Sequence, residues 1–95
     1  MKLLYRNNIA GFSEPVCTAS GSKITVTGQI EWFKEGTWGY AYKKSSATSW
    51  TYKPTDSKDI NATISNATSG AKYQVKFFVK YEDEYQYSSA VSVTV

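Results

Sequence analysis

The sequence predicts an all-β protein, an antiparallel β-sandwich of about seven short strands. Three observations carry that expectation. Residues 72–81 alternate: Tyr73, Val75, Phe77, Val79 and Tyr81 fall on one face, Lys72, Gln74, Lys76, Phe78 and Lys80 on the other. That is the period of a strand with a core side and a wet side. The composition is rich in strand formers, with eight Tyr, four Phe and three Trp beside many Val, Ile and Thr, and no helical apolar stripe is long enough to compete. Gly, Ser, Asn and Pro punctuate the chain at the close spacing expected of a sandwich.

The elements follow in order. Residues 1–13 read as an irregular arm, with Leu3, Leu4, Tyr5, Ile9 and Phe12 free to lie across the domain or a neighbour. The domain proper is expected over 14–95. Residues 14–19 suit a short edge strand, with Pro15 near its start where a missing N–H does least harm. Ser20-Gly21-Ser22 turns. Residues 23–30 alternate with Ile24, Val26, Gly28 and Ile30 inward; Gly28 marks a bulge or a large side chain packed over it. Residues 31–36 are a loop or an extension of that strand. Residues 37–43 are a strand with Trp38, Tyr40 and Tyr42 on one side, and 49–53 a short strand stopped by Pro54. Ile60, Ala62 and Ile64 alternate in the next. The 72–81 strand follows, then a polar turn over EDEYQY (82–87), then a last strand with Val91, Val93 and Val95 alternating.

Composition also excludes. Ninety-five residues suit one domain with its own core. No histidine is present, which removes the commonest general base and metal ligand. Cys17 is the single cysteine, so no internal disulfide is possible and no oxidising compartment is required. Its surroundings in sequence hold no basic cluster that would activate a thiol. Glu82-Asp83-Glu84 lacks the spacing of a cation loop and reads as a solvated tip; Glu31 and Glu35 read as plain loop glutamates. No enzyme activity, cofactor or metal is expected. The net charge is +3, with Arg6 the one arginine among eleven basic residues. Specific nucleic-acid readout leans on arginine forks, so no nucleic-acid partner is expected. The apolar run at Leu3-Leu4 is too short for a signal peptide and nothing reaches membrane-spanning length. No membrane use is expected, and the start methionine suggests a complete small gene product. The sequons Asn61-Ala62-Thr63 and Asn66-Ala67-Thr68 read as chance matches.

Residues 62–75, Ala-Thr-Ile-Ser-Asn-Ala-Thr-Ser-Gly-Ala-Lys-Tyr-Gln-Val, resemble strand E, the corner and strand F of a fibronectin type III domain, an immunoglobulin-like sandwich. Trp50-Thr51-Tyr52 and Ser92-Val93-Thr94-Val95 are similar to other segments of that family, and the likeness spans 14–95. It implies a seven-stranded sandwich and places Tyr73 as the tyrosine corner, its phenol bonded to backbone a few residues upstream. The chain departs from the family at Gly28, where a core tryptophan is usual, so Trp32 or Trp38 is expected to fill that space. Ala67 replaces the corner's leucine and Ser69 its proline. No Arg-Gly-Asp triplet occurs, so integrin binding is not implied.

Partner contacts are expected from residues the fold does not need. Under the likeness, the loops 31–36 and 82–86 share one end and gather Trp32, Phe33 and Tyr85 beside the acidic run; aromatic anchors with polar neighbours suit a binding patch. Phe78 breaks the lysine register of its strand and is expected beneath the 49–53 strand or the arm, or against a partner. The candidate contacts are thus Leu3, Leu4, Tyr5, Ile9, Phe33, Phe78 and Tyr85. The expected function is a non-catalytic structural or protein-interaction module, foremost a small bacteriophage virion protein, such as a capsid decoration protein or another head or tail accessory. It would be assembled in the host cytoplasm and dock by its arm and loop end. The alternative is a glycan- or cell-surface-binding module of a larger secreted protein, with Trp32, Phe33, Trp50 and Tyr85 as stacking platforms.

Overall fold

The computed structural model describes residues 10–31 and 35–95. They form two antiparallel sheets packed face to face, an all-β sandwich. The first sheet is built on β3 (Lys23–Glu31). On one edge of β3 lies β2 (Val16–Ser20), joined to it by a tight turn in which Gly21 takes the left-handed conformation, φ 64°. On the other edge lies β6 (Asp59–Ile64). The far end of β3 pairs with β1 (Gly11–Phe12), Gly11 opposite Glu31 and Phe12 opposite Ile30. Ser13 continues that edge. Its N–H donates to the Gln29 carbonyl at 2.9 Å, and its Oγ accepts from Gln29 N–H at 2.8 Å. Pro15, with no N–H to offer, separates β1 from β2.

The second sheet is built on β4 (Thr37–Lys44) and β7 (Lys72–Tyr81), paired from Thr37–Lys80 to Lys44–Tyr73. β5 (Thr51–Pro54) covers the outer edge of β4. The outer edge of β7 is shared. β8 (Glu84–Tyr87) takes Phe78 to Tyr81, and β9 (Val91–Thr94) takes Lys72 to Val75. Ser88 joins them: its N–H donates to Phe77 O at 3.1 Å, and its Oγ accepts from Phe77 N–H at 2.8 Å.

Nine strands are found among the described residues where seven were expected. The seven expected segments all form. The additions are β1 and β8. Two residues cannot show a period, so β1 was invisible inside the arm. In 82–87 only Glu82 and Asp83 turn. Tyr81 pairs directly with Glu84 and Glu82 adopts φ 57°, so the rest of that polar segment is strand, and Tyr85 stands on a sheet instead of in a loop.

The core is the alternation carried into three dimensions. Ile24, Val26, Ile30, Ile60 and Ile64 from the first sheet meet Tyr40, Tyr73, Val75, Phe77 and Val79 from the second, all buried. Gly28 is the notch in this layer. A Cβ there would stand 2.5 Å from the Phe77 ring, so Phe77 fills the space above Gly28. Trp38, one of the two tryptophans expected there, packs beside the core from β4 instead; Trp32, the other, lies outside the described residues. The phenol of Tyr73 accepts a hydrogen bond from Thr68 N–H at 2.8 Å, across the turn in which Asn66 is left-handed, φ 60°. That bond holds the phenol below its ordinary pKa, because a donor favours the phenolate.

Candidate functional site

The outer face of the five-stranded sheet is where the even-numbered residues of β7 emerge. Register fixes their neighbours. Lys76 stands beside Ala41, which stands beside Tyr52; Phe78 stands between Gly39 and Tyr87; Lys80 stands between Thr37 and Tyr85. Gly39 and Ala41 make the middle of the face low. A Cβ on Gly39 would run into the Lys53 carbonyl oxygen, so only glycine lets β5 close onto β4 here.

Aromatic rings fill the hollow. Phe78 is 2% exposed although it lies on the outward side. Tyr52 covers it edge-on, ring centroids 5.0 Å apart at 82°, and Tyr85 lies tilted against it at 6.2 Å. Tyr52 also meets Tyr85 at 5.7 Å, and Tyr85 stacks on Tyr87 at 6.0 Å and 15°. The Tyr52 and Tyr87 hydroxyls share a hydrogen bond of 3.1 Å. Burial, that bond, and the nearby Tyr52 and Tyr85 push the Tyr87 phenol up to about 12. Covering Phe78 is worth about 2–3 kcal/mol, which gives the small second core a reason to exist. The three tyrosines that form it stay open to solvent, 36% for Tyr52, 42% for Tyr85 and 43% for Tyr87.

Lysines stand over these rings. Lys76 Nζ lies 3.7 Å from the Tyr87 ring centroid and 4.1 Å from that of Trp50. Lys43 Nζ lies 5.4 Å from Trp50, and Lys80 Nζ 5.6 Å from Tyr85. Each such contact contributes about 0.5–1 kcal/mol at an exposed position. Burial first, then repulsion from Lys43, holds the Lys76 ammonium below its ordinary pKa. No ion pair engages Lys43, Lys76 or Lys80 among the described residues. A shallow groove of about 380 Å³ between β1 and β8 runs up to Tyr85 and Tyr87.

The candidate contacts distribute unevenly over this geometry. Leu3, Leu4, Tyr5, Ile9 and Phe33 lie outside the described residues, as does Trp32. Tyr85 is exposed and central to the face. Phe78 is its floor, covered by the chain's own Tyr52 and Tyr85, so a partner would meet those rings before it. Trp50 joins the face through Lys43 and Lys76. Tyr73 belongs to the inner layer and takes no part. Three members were missed as contacts: Tyr52, Tyr87 and the lysine set. The signal was present in the parity, since Trp50 and Tyr52, and Tyr85 and Tyr87, are spaced by two like the lysines of β7.

The chemistry on this face is ammonium, phenol and apolar ring. It can attract anions, exchange hydrogen bonds and offer apolar area. Among the described residues no group of three or more His, Cys, Asp or Glu side chains could hold a metal ion. No protein-family model matches the chain, and no curated protein matches it.

Proposed function

We propose that the protein is a non-catalytic interaction module with a fibronectin type III-like sandwich, docking on a protein partner through the outer face of its five-stranded sheet. The observation that carries the reading is the trio Tyr52, Tyr85 and Tyr87, exposed yet held in place on a buried Phe78. Rigid tyrosines with little left to lose on binding are the usual anchors of protein contacts. The narrower class is supported by the Tyr73 bond to Thr68 and by the strand arrangement. Taking β1 with β2 and β8 with β9 as interrupted single edges leaves three strands against four. Within this reading the setting we favour is a bacteriophage virion, with the module as a decoration protein or other head or tail accessory; likeness of fold alone supports that step.

A glycan partner is disfavoured by one contact. Sugars stack on open ring faces, and Lys76 already occupies faces of both Tyr87 and Trp50. The test is site-specific photo-crosslinking in the native setting, with the probe at position 85 and, for comparison, at Thr25 on the outward side of β3. Adducts to one protein from position 85 alone are expected. Equal labelling from both positions, or adducts to no protein, would reject the reading. We take the arm as a second contact beside this face, so deleting residues 1–9, which leaves β1 intact, is expected to weaken the adducts from position 85 while the domain still melts cooperatively.

A further inference from the structure

The charges of the chain are not spread evenly over its surface. Lys72, Lys76 and Lys80 of β7 and Lys43 of β4 share the outward register of the five-stranded sheet. All eight carboxylates lie elsewhere. Glu14, Glu31 and Asp59 belong to the first sheet or its links, and Glu35 and Asp56 flank strands. Glu82 and Asp83 form the β7–β8 turn, and Glu84 takes the opposite register beside Tyr81. Removing the four outward lysines from the eleven basic residues leaves seven against eight acidic ones. Among the described residues eight lysines balance eight carboxylates, and four of those lysines gather in one register, on the same face that carries the tyrosines.

We propose that this face docks an acidic protein segment in extended form, its carboxylates taken by Lys43, Lys76 and Lys80 and its side-chain stems laid on Tyr52, Tyr85 and Tyr87. The inference rests on the reading above and adds the chemistry of the partner. Successive lysines on β7 are four residues apart, about 13 Å at the rise of a strand. An extended partner lying along β7 repeats its side chains at the same interval and on one side, so acidic residues at every fourth position match the row. The ring contacts fix three of the ammonium groups in advance, which reduces the ordering cost that exposed lysines normally carry on binding.

Other occupants fit less well. Single-stranded nucleic acid needs free ring faces for its bases. Here Lys76 covers Tyr87 and Trp50, and Tyr52 packs edge-on to its neighbours. A second copy meeting this face with its own would set lysine against lysine.

The experiment is fluorescence anisotropy with the full chain and a labelled peptide alternating glutamate and threonine; oligo-dT and the matching glutamine–threonine peptide run in parallel. The glutamate peptide is expected to bind, to weaken as salt rises, and to lose about tenfold in affinity in K43Q/K76Q/K80Q. Lys23→Gln on the other sheet should change nothing. Near-UV circular dichroism checks the fold of the triple variant. K72Q/K80Q, which leaves the Lys76 ring contacts in place, supplies a second measurement with a smaller loss of the same sign. Binding of the glutamine peptide with equal affinity, tighter binding of oligo-dT, or indifference of both variants overturns the proposal. If crosslinks from position 85 still reach a protein, only the acidic character falls and the docking face stands.

Discussion

Three single residues have effects that can be measured apart from any partner. Tyr73→Phe removes one hydroxyl and leaves Thr68 N–H without its acceptor. A loss of about 1–2 kcal/mol in urea unfolding is expected; an unchanged midpoint would mean water replaces the phenol at no cost. Gly28→Ala places a methyl against the Phe77 ring and should cost about 1–3 kcal/mol by overpacking, although alanine is usually the better strand residue. Burial raises the Cys17 thiol from 9.0 to about 11. The folded state thus holds that proton more tightly than the unfolded one. The stability this contributes is whole below pH 9, falls as pH rises through the interval and is gone above about 11. The same shift predicts slow reaction with a disulfide reagent near neutral pH and fast reaction once urea unfolds the chain; equal rates in both states would refute it.

At the scale of elements, β5 and β8 act together through a side-chain layer that neither backbone ladder requires. Phe78→Ala empties the floor of that layer and should destabilise by about 3–4 kcal/mol. Tyr85→Ala, at a site 42% exposed, should cost far less; parity of the two in thermal melts would mean that the ring layer has no core of its own. Tyr52→Phe deletes the partner hydroxyl of Tyr87, and ultraviolet titration should then find the Tyr87 phenol ionising at lower pH than its present value of about 12. The long elements were legible because period and burial agree: the odd-numbered apolar residues from Tyr73 to Val79 are all buried. β1 and β8 were not, because a two-residue strand has no period and a Glu-Tyr-Gln-Tyr run looks like a turn until its partner Phe78–Tyr81 is known. The face itself was half legible. Phe78 stood out as a break in the lysine register, but what covers it depends on which strands flank β4 and β7, and that is a property of topology, which spacing along the chain does not carry.

For the whole molecule, stability rests on contacts between distant segments. The closing strands β6, β7 and β9 arrive from the second half of the chain, and β9 approaches β2 across the sandwich. Such topologies fold on the millisecond-to-second scale, and one cooperative transition is expected by fluorescence and circular dichroism alike; separate transitions would mean that the sheets melt independently. With Cys17 the single thiol, the melting curve should be the same with and without reductant at low protein concentration.

The two prolines bear on how any neighbour can approach. Pro15 interrupts the edge formed by β1 and β2, Pro54 ends the edge strand β5, and the break at Ser88–Ala90 divides the edge formed by β8 and β9. Among the described residues β6 alone offers an unbroken rim, and it is six residues long. A foreign strand seeking to extend either sheet finds missing donors on two margins and a break in the strand on a third. Recruitment by strand exchange, the route that leads some β-proteins into swapped dimers and fibrils, is thereby discouraged, and contact is diverted from the margins of the sheets to their flat surfaces. When many copies crowd side by side, β6 is then the one margin among the described residues through which their sheets could merge, and it is a short one.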